Sequence, residues 1–260
     1  MDWIRFCQES LKQAAEEIKR IFVTDKRSVE LSVGWGGDMT LIADKVSEEI
    51  IIEKLRKCRV DVRLISEEQG EVVIGKMPRH TIFLDPLDGS FNFKQGLPYF
   101  GISMAVMDKD THPVAAYVLE IFQGIGYFAD ESGAYKDGVK LQTSQRRHAN
   151  HVLLEFQKGI EPEALGVISK TLLGARHVRA PGAVALDLCK VAEGTFDCLM
   201  SAGGARFLDV AAGIYILEKA GGIVTDFQGD SGIREGTELT TKNILACANK
   251  AIRDSVIGEK

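Results

Sequence analysis

No stretch of this chain approaches the length of apolar sequence that spans a bilayer, and no apolar run follows the charged opening Met1-Asp2-Trp3-Ile4-Arg5. A membrane span and a cleaved leader are therefore not expected, and a soluble, cytoplasmic protein is. Cysteine is scarce: the five, Cys7, Cys58, Cys189, Cys198 and Cys247, form no Cys-x-x-Cys pair. An odd, unpatterned set suits buried thiols in a reducing compartment, not a disulfide framework. The five histidines show no His-Glu-x-x-His spacing, which leaves a zinc site without support. Basic charge is in deficit, 32 Lys and Arg against 37 Asp and Glu for a net −5. That balance argues against a nucleic-acid partner. Internal repeats and low-complexity tracts are absent as well.

What is present is a globular composition: 260 residues, 45% hydrophobic, 27% charged, with 26 glycines. The length permits one large domain or two small ones sharing a core. Ile4, Cys7, Leu11, Ala14, Ile18 and Phe22 recur at three- and four-residue steps and predict an amphipathic helix. Gly34-Trp35-Gly36-Gly37-Asp38 breaks that pattern and reads as a mobile loop, one expected to order over a bound substrate. Ile42, Val46, Ile50 and Leu55 mark a second helix. Strand patterns follow at 62–65, 81–84, 102–107, 114–122 and 126–129, separated by turns such as Asp108-Lys109-Asp110 and Lys136-Asp137-Gly138. These hairpin spacings predict a largely antiparallel sheet. The polar, basic stretch 141–150 is the expected boundary, giving one part over 1–145, a second over 146–260 and an active site between them. In the second part helical patterns (163–173, 184–192, 209–220) alternate with strand patterns (222–226, 244–248), an α/β half. Gly124-Ile125-Gly126 fits a dinucleotide fingerprint, but both flanks read as strands, and that motif works only where a helix follows.

The densest chemistry lies in Leu84-Asp85-Pro86-Leu87-Asp88-Gly89-Ser90. On a tight turn Asp85 and Asp88 converge on one hard cation together with the Leu87 carbonyl, because hard divalent ions take oxygen donors. Gly89 and Ser90 then offer backbone N–H groups and a hydroxyl to an anion. Alone, this segment is equally an ordinary surface turn. Glu67 and Glu68 stand at the end of a predicted strand, and Asp209 precedes an apolar helix. Taken singly these are equally a solvated loop and a helix cap. Their joint occurrence favours a metal site.

Glu67-Glu68, Asp85 to Ser90 with Asn92-Phe93, and Asp209-Val210-Ala211-Ala212-Gly213 together resemble the signature of the inositol monophosphatase family. Asp38 to Asp44 is similar to a further segment of that family, so the resemblance runs from about Asp38 to Ala248. It implies a layered αβαβα sandwich of α/β (α+β) class, an antiparallel sheet followed by a smaller mixed one, and a Mg2+-dependent phosphate monoester hydrolase. It also implies the ligands: Glu67, Asp85 and the Leu87 carbonyl for one Mg2+; Asp85, Asp88 and Asp209 for a second; and Glu67 for a third, weaker one. By the same resemblance the phosphate sits on Gly89 and Ser90, the Ser90 hydroxyl, oriented by Asp44, holds the attacking water, and Glu68 supports the site. A homodimer is the expected assembly.

The leaving-group side departs from the inositol-specific pattern. Ser201-Ala202-Gly203-Gly204-Ala205 has no carboxylate, and Gly182-Ala183-Val184 lacks the family's hydroxyl where the ring is met. Arg206 stands three residues before Asp209, which is similar to the archaeal-type branch acting on both inositol-1-phosphate and fructose-1,6-bisphosphate. An arginine there suits a second phosphate; as a residue alone it is equally a solvated surface arginine. The substrate-binding set is then Gly89, Ser90, Gly182, Ala183, Arg206 and Asp209. The alternatives are a nucleotide 3′-phosphatase, for which no aromatic platform is expected in the pocket segments, and a catalytically degenerate binding protein.

Overall fold

In the computed structural model, which describes residues 1–35, 37, 39–156, 159–231 and 243–258, the predicted first helix is α1 (Trp3–Phe22), with Cys7, Leu11, Ala14 and Ile18 buried. Asp2 caps it, accepting a hydrogen bond from the Arg5 amide at 3.0 Å. β1 (Glu30–Val33) and β2 (Met39–Leu41) pair antiparallel before α2 (Ile42–Lys57). This small hairpin brackets the glycine-rich loop; Gly36 and Asp38, within the predicted loop, lie outside the described residues.

The next strands are β3 (Val62–Ser66), β4 (Gly70–Ile74), β5 (His80–Asp88), β6 (Gly101–Met107), β7 (Pro113–Glu120), β8 (Ile125–Asp130), β9 (Gly133–Lys136) and β10 (Val139–Lys140). A short α3 (Ser90–Gln95) separates β5 from β6. They form one eight-stranded sheet in the order β10-β9-β8-β7-β6-β5-β3-β4. Its pairs are antiparallel except β3 with β5, which run parallel. Every residue of β6 is buried, as a strand covered on both faces requires. Gly124 sits between two paired strands, so the fingerprint-like segment opens no helix.

The second part comprises β11 (His151–Phe156), α4 (Pro162–Gly174), β12 (His177–Arg179), α5 (Val184–Ala192), β13 (Cys198–Ala202), α6 (Phe207–Lys219), β14 (Ile223–Thr225), β15 (Ile244–Cys247) and α7 (Lys250–Ile257). Its five strands run β12-β11-β13-β15-β14, with β11 parallel to β12 and β13, and β15 antiparallel to β13 and β14. α1 and α2 cover one face of the large sheet, α5 and α6 lie between the two sheets, and α4 and α7 pack together on the outside. This is the αβαβα order. One apolar core, with Leu11, Ile51, Ile82 and Phe100, lies under α1 and α2. The other, with Leu186, Met200, Ile216 and Leu245, fills the space between the sheets.

The parallel pairing of β3 and β5 matters most for the site. It aligns Ser66 with Leu84, so Glu67, just past the end of β3, and Asp85, still within β5, follow side by side.

Candidate active site

The tight turn expected at Asp85–Asp88 is instead the last stretch of β5. Asp85 pairs with Ser103 and Asp88 with Gly101, so three steps on β5 oppose two on β6. That extra residue is a β-bulge, and it accommodates Pro86, which has no N–H to give a ladder. The Leu87 amide donates to Asp85 Oδ1 at 2.9 Å, closing the bend on the carboxylate itself. Gly89 follows at φ 88°, the left-handed region, as the residue preceding α3. A Cβ there would lie 3.1 Å from both the Ala183 Cβ and the Tyr99 carbonyl oxygen, so glycine is required by both conformation and space. Asn92 fastens the neighbourhood, donating to the carbonyls of Tyr99 at 2.8 Å and Pro181 at 2.7 Å.

Three carboxylates converge: oxygens of Glu67, Asp85 and Asp209 all lie within 4.8 Å of one another. They arrive on three elements, the end of β3, the end of β5 and the first turn of α6. Asp88 is buried nearby, its Oδ2 accepting from the Leu186 amide at 3.0 Å in the first turn of α5. The geometry makes Asp209 a first-turn residue; Arg206 occupies the cap position. Burial pushes the Glu67 carboxyl up to about 7, and Asp209 and Glu68 add to the rise while Arg206 opposes it. Burial likewise holds Asp85 far above the usual carboxylate range, reinforced by Glu67 and Asp209. Asp88 is raised by burial, against the Leu186 hydrogen bond. Asp44, on α2, is raised by burial and then by Glu67 and Glu68.

The Arg206 guanidinium enters this cluster. Its Nη2 lies 2.5 Å from Glu67 Oε1 and its Nε 2.9 Å from Asp209 Oδ2. Burial works against the arginine's charge, but Asp209 and Glu67 outweigh it and raise its affinity for the proton. Oxygen donors at this spacing are what hard divalent cations take, and the one positive group among them stands where such a charge is called for. The residues fit a metal.

Above the cluster opens a cleft of about 570 Å3, lined by Asp44, Glu67, Glu68, Gly89, Ser90, Gly182, Arg206 and Asp209 among others. Sequence reasoning named these eight. Leu87 and Ala183 are buried behind them. The Ser90 hydroxyl donates to the Leu87 carbonyl at 3.0 Å, and Thr40 donates to Glu68 Oε2.

Four lining residues were not expected. Glu155, on β11, is raised to about 7 by burial and by Asp209. A lone acid inside the apolar run 151–156 was the available signal. Met39, Phe91 and Phe156 also line the cleft and are 45%, 71% and 45% exposed. Phe91 and Phe156 thus bring two aromatic rings to the cleft, where none was expected from the pocket segments. The three residues come from β2, α3 and β11, and only tertiary structure joins them.

The sequence pattern of the inositol monophosphatase family matches residues 2–259. This chain belongs to that family. It is accordingly a phosphatase, a phosphoric monoester hydrolase, of a generally metal-dependent kind. The fructose-1,6-bisphosphatase/inositol-1-monophosphatase of Thermococcus kodakarensis is 32% identical over 98% of this chain and 96% of its own length. The bifunctional NADP phosphatase/NAD kinase of Methanococcus maripaludis is 27% identical over 99% of this chain but 49% of its own. Among solved structures, the crystal structure of an inositol monophosphatase–fructose 1,6-bisphosphatase superposes with a TM-score of 0.83 at 30% identity, covering 99% of each chain. Among the described residues no helix is long and apolar enough to cross a membrane.

Proposed function

We propose that this phosphatase is Mg2+-dependent and acts on small sugar or polyol phosphates, inositol-1-phosphate and fructose-1,6-bisphosphate being the leading candidates. The observation that carries the reading is the convergence of Glu67, Asp85 and Asp209 under an open cleft. Glu67, Asp85 and the Leu87 carbonyl would hold one Mg2+, and Asp85, Asp88 and Asp209 a second, with Glu67 also touching a third. Such ions, when bound, neutralise charge on the phosphoryl oxygens and make water a stronger acid.

The chain's own groups do the rest. The amides of Gly89 and Ser90 seat the phosphate. The Ser90 hydroxyl, its hydrogen committed to the Leu87 carbonyl, keeps its lone pairs for a hydrogen bond from the attacking water. Asp44 supports it: its Oδ1 is a buried acceptor with no hydrogen-bond partner among the described residues. Arg206 has a buried Nη1 in the same condition, the donor left for a second substrate phosphate once cations take over its carboxylates. Gly182 and Ala183 offer no hydroxyl to a leaving group, which favours tolerance of varied alcohols. The reading places the site between a part over 1–145, which supplies Asp44 to Ser90, and a part over 146–260, which supplies Gly182, Arg206 and Asp209. A homodimer and a cytoplasmic location complete it. Glu67, Asp85 and Asp88, all buried, and the half-buried Asp209 weigh against a degenerate binding protein, since a scaffold has no use for the cost of gathering them there.

A second reading has its own observation. Met39, Phe91 and Phe156 make an apolar rim that suits a nucleoside base, and one relative is named as an NADP phosphatase. Phosphate release measured with Mg2+ across inositol-1-phosphate, fructose-1,6-bisphosphate, adenosine 2′-phosphate and adenosine 3′-phosphate separates the two. A base-bearing ester turned over best would replace the sugar phosphate reading.

A further inference from the structure

A second cavity, about 190 Å3, lies between the eight-stranded sheet and α6. Its walls include Ile65 on β3, Phe83 on β5, and Phe207 and Ala211 on α6. Each of these stands two residues from one of the three converging carboxylates: Ile65 from Glu67, Phe83 from Asp85, and Phe207 and Ala211 from Asp209. Residues two apart share a face on a strand, which sets Ile65 and Phe83 in line with Glu67 and Asp85. Phe207 and Ala211 flank Asp209 within the first turns of α6, so the cavity borders the same three elements that carry the carboxylates. Phe83 and Phe207 meet edge to face across it, with ring centroids 5.0 Å apart.

The lining is mainly apolar, and its volume exceeds the roughly 150 Å3 apolar cavity that takes up benzene. One charged group borders it. Arg63 gives its Nη2 to Glu71 at 2.7 Å, while its Nε is buried with no hydrogen-bond partner among the described residues. An aromatic ring with one anionic oxygen answers both features.

We propose that this cavity is an effector site for a small aromatic carboxylate, whose presence sets the spacing of Glu67, Asp85 and Asp209 and with it their affinity for a divalent cation. The coupling rests on the metal reading of the cluster; the site itself does not. β3, β5 and α6 are rigid elements, so a ligand that parts them at the cavity moves the carboxylates at their ends.

Benzoate is the probe, with the full-length protein freed of metal by EDTA. The inference expects nuclear Overhauser contacts from the benzoate ring to the methyls of Ile65 and Met107, and a Kd of about 1 mM or tighter. Ala211→Phe fills the cavity and abolishes them. Arg63→Gln weakens benzoate roughly tenfold or more and leaves benzyl alcohol unchanged, since only the carboxylate gains from the guanidinium. Calorimetry of Mg2+ binding, with and without saturating benzoate, then shows at least an approximately fivefold change in Kd, a coupling at the low end of the usual range. Absence of the ring contacts in the wild type overturns the site, whether or not Ala211→Phe folds. Ring contacts with an unchanged Mg2+ affinity overturn the effector role. No Mg2+ binding in either condition overturns the metal reading, and the coupling with it, while the contacts still decide the site.

Discussion

Arg206 Nη2 lies 2.5 Å from Glu67 Oε1, so a residue of the α6 cap reaches across the cleft to the end of β3. Arg206 thereby has two expected duties, one without metal and one with substrate.

Without metal, Arg206 keeps the buried Glu67 and the half-buried Asp209 from facing each other uncompensated. Removing one partner of a buried ion pair costs about 3–5 kcal/mol, and less when one side is partly exposed; the arginine side chain is 25% exposed. Arg206→Ala is expected to melt several degrees below wild type in EDTA, and the gap to close in saturating Mg2+. Paired melting curves in the two conditions check this; an equal gap in both makes the contact purely structural.

With substrate, the same variant should lose about tenfold to a hundredfold in kcat/KM for fructose-1,6-bisphosphate, the worth of a charge-assisted hydrogen bond. Inositol-1-phosphate, with no second phosphate, should be nearly untouched. Equal loss on both substrates puts Arg206 in the common machinery.

Stability in EDTA should depend on pH with a definite sign. Burial and neighbouring acids raise Glu67 and Asp85 in the folded chain, so between the ordinary carboxylate value, about 4, and about 7, where Glu67 titrates, the folded state binds more protons than the unfolded one. This contribution is full below about 4 and is lost as pH rises through that window. The unfolding free energy from urea titrations in EDTA should therefore fall from pH about 5 to pH about 8, by an amount on the order of a few kcal/mol, and the midpoint with it. Mg2+ should cancel the fall because it binds the deprotonated form. Asp85→Asn, which removes one of the raised groups, should flatten the metal-free profile and melt higher than wild type in EDTA. A midpoint that rises with pH in EDTA contradicts the electrostatics described.

Much of this was legible in the chain itself. Periodicity placed α1, α2 and five strands of the large sheet, β3, β5, β6, β7 and β8, because burial on one face is written into residue spacing. β4, β9 and β10, of five, four and two residues, carried no such pattern. The acids of β5 and α6 stood out because carboxylates at element ends are chemically conspicuous. The β-bulge at Asp85–Asp88 was not legible. A turn and a bulge use the same residues, and the partner strand β6 decides between them. The parallel pairing of β3 with β5 was hidden for the same reason, as was Glu155, an acid of β11 that meets the cleft through tertiary structure.

The apolar rim predicts a selective loss. A base stacked on an aromatic side chain is worth about 1–3 kcal/mol, so Phe91→Ala and Phe156→Ala should each lower kcat/KM for adenosine 2′-phosphate by roughly fivefold or more. Glycerol 2-phosphate, which has nothing to stack, should be unaffected. If both esters suffer alike, the rim shapes the cleft and does not read the leaving group.

The most direct measurement is phosphate release from inositol-1-phosphate by wild type and Asp85→Asn across a Mg2+ titration. Asp85 is the carboxylate assigned to both cations, and asparagine keeps an Oδ1 to accept from the Leu87 amide while removing a charge that burial and neighbouring acids disfavour, so the fold should stand. The account predicts no release in EDTA, release that saturates with Mg2+ in wild type, and a kcat for Asp85→Asn lower by about a hundredfold or more at saturating Mg2+, the equivalent of about 3 kcal/mol. Turnover in EDTA, or near-normal turnover by Asp85→Asn, would contradict it.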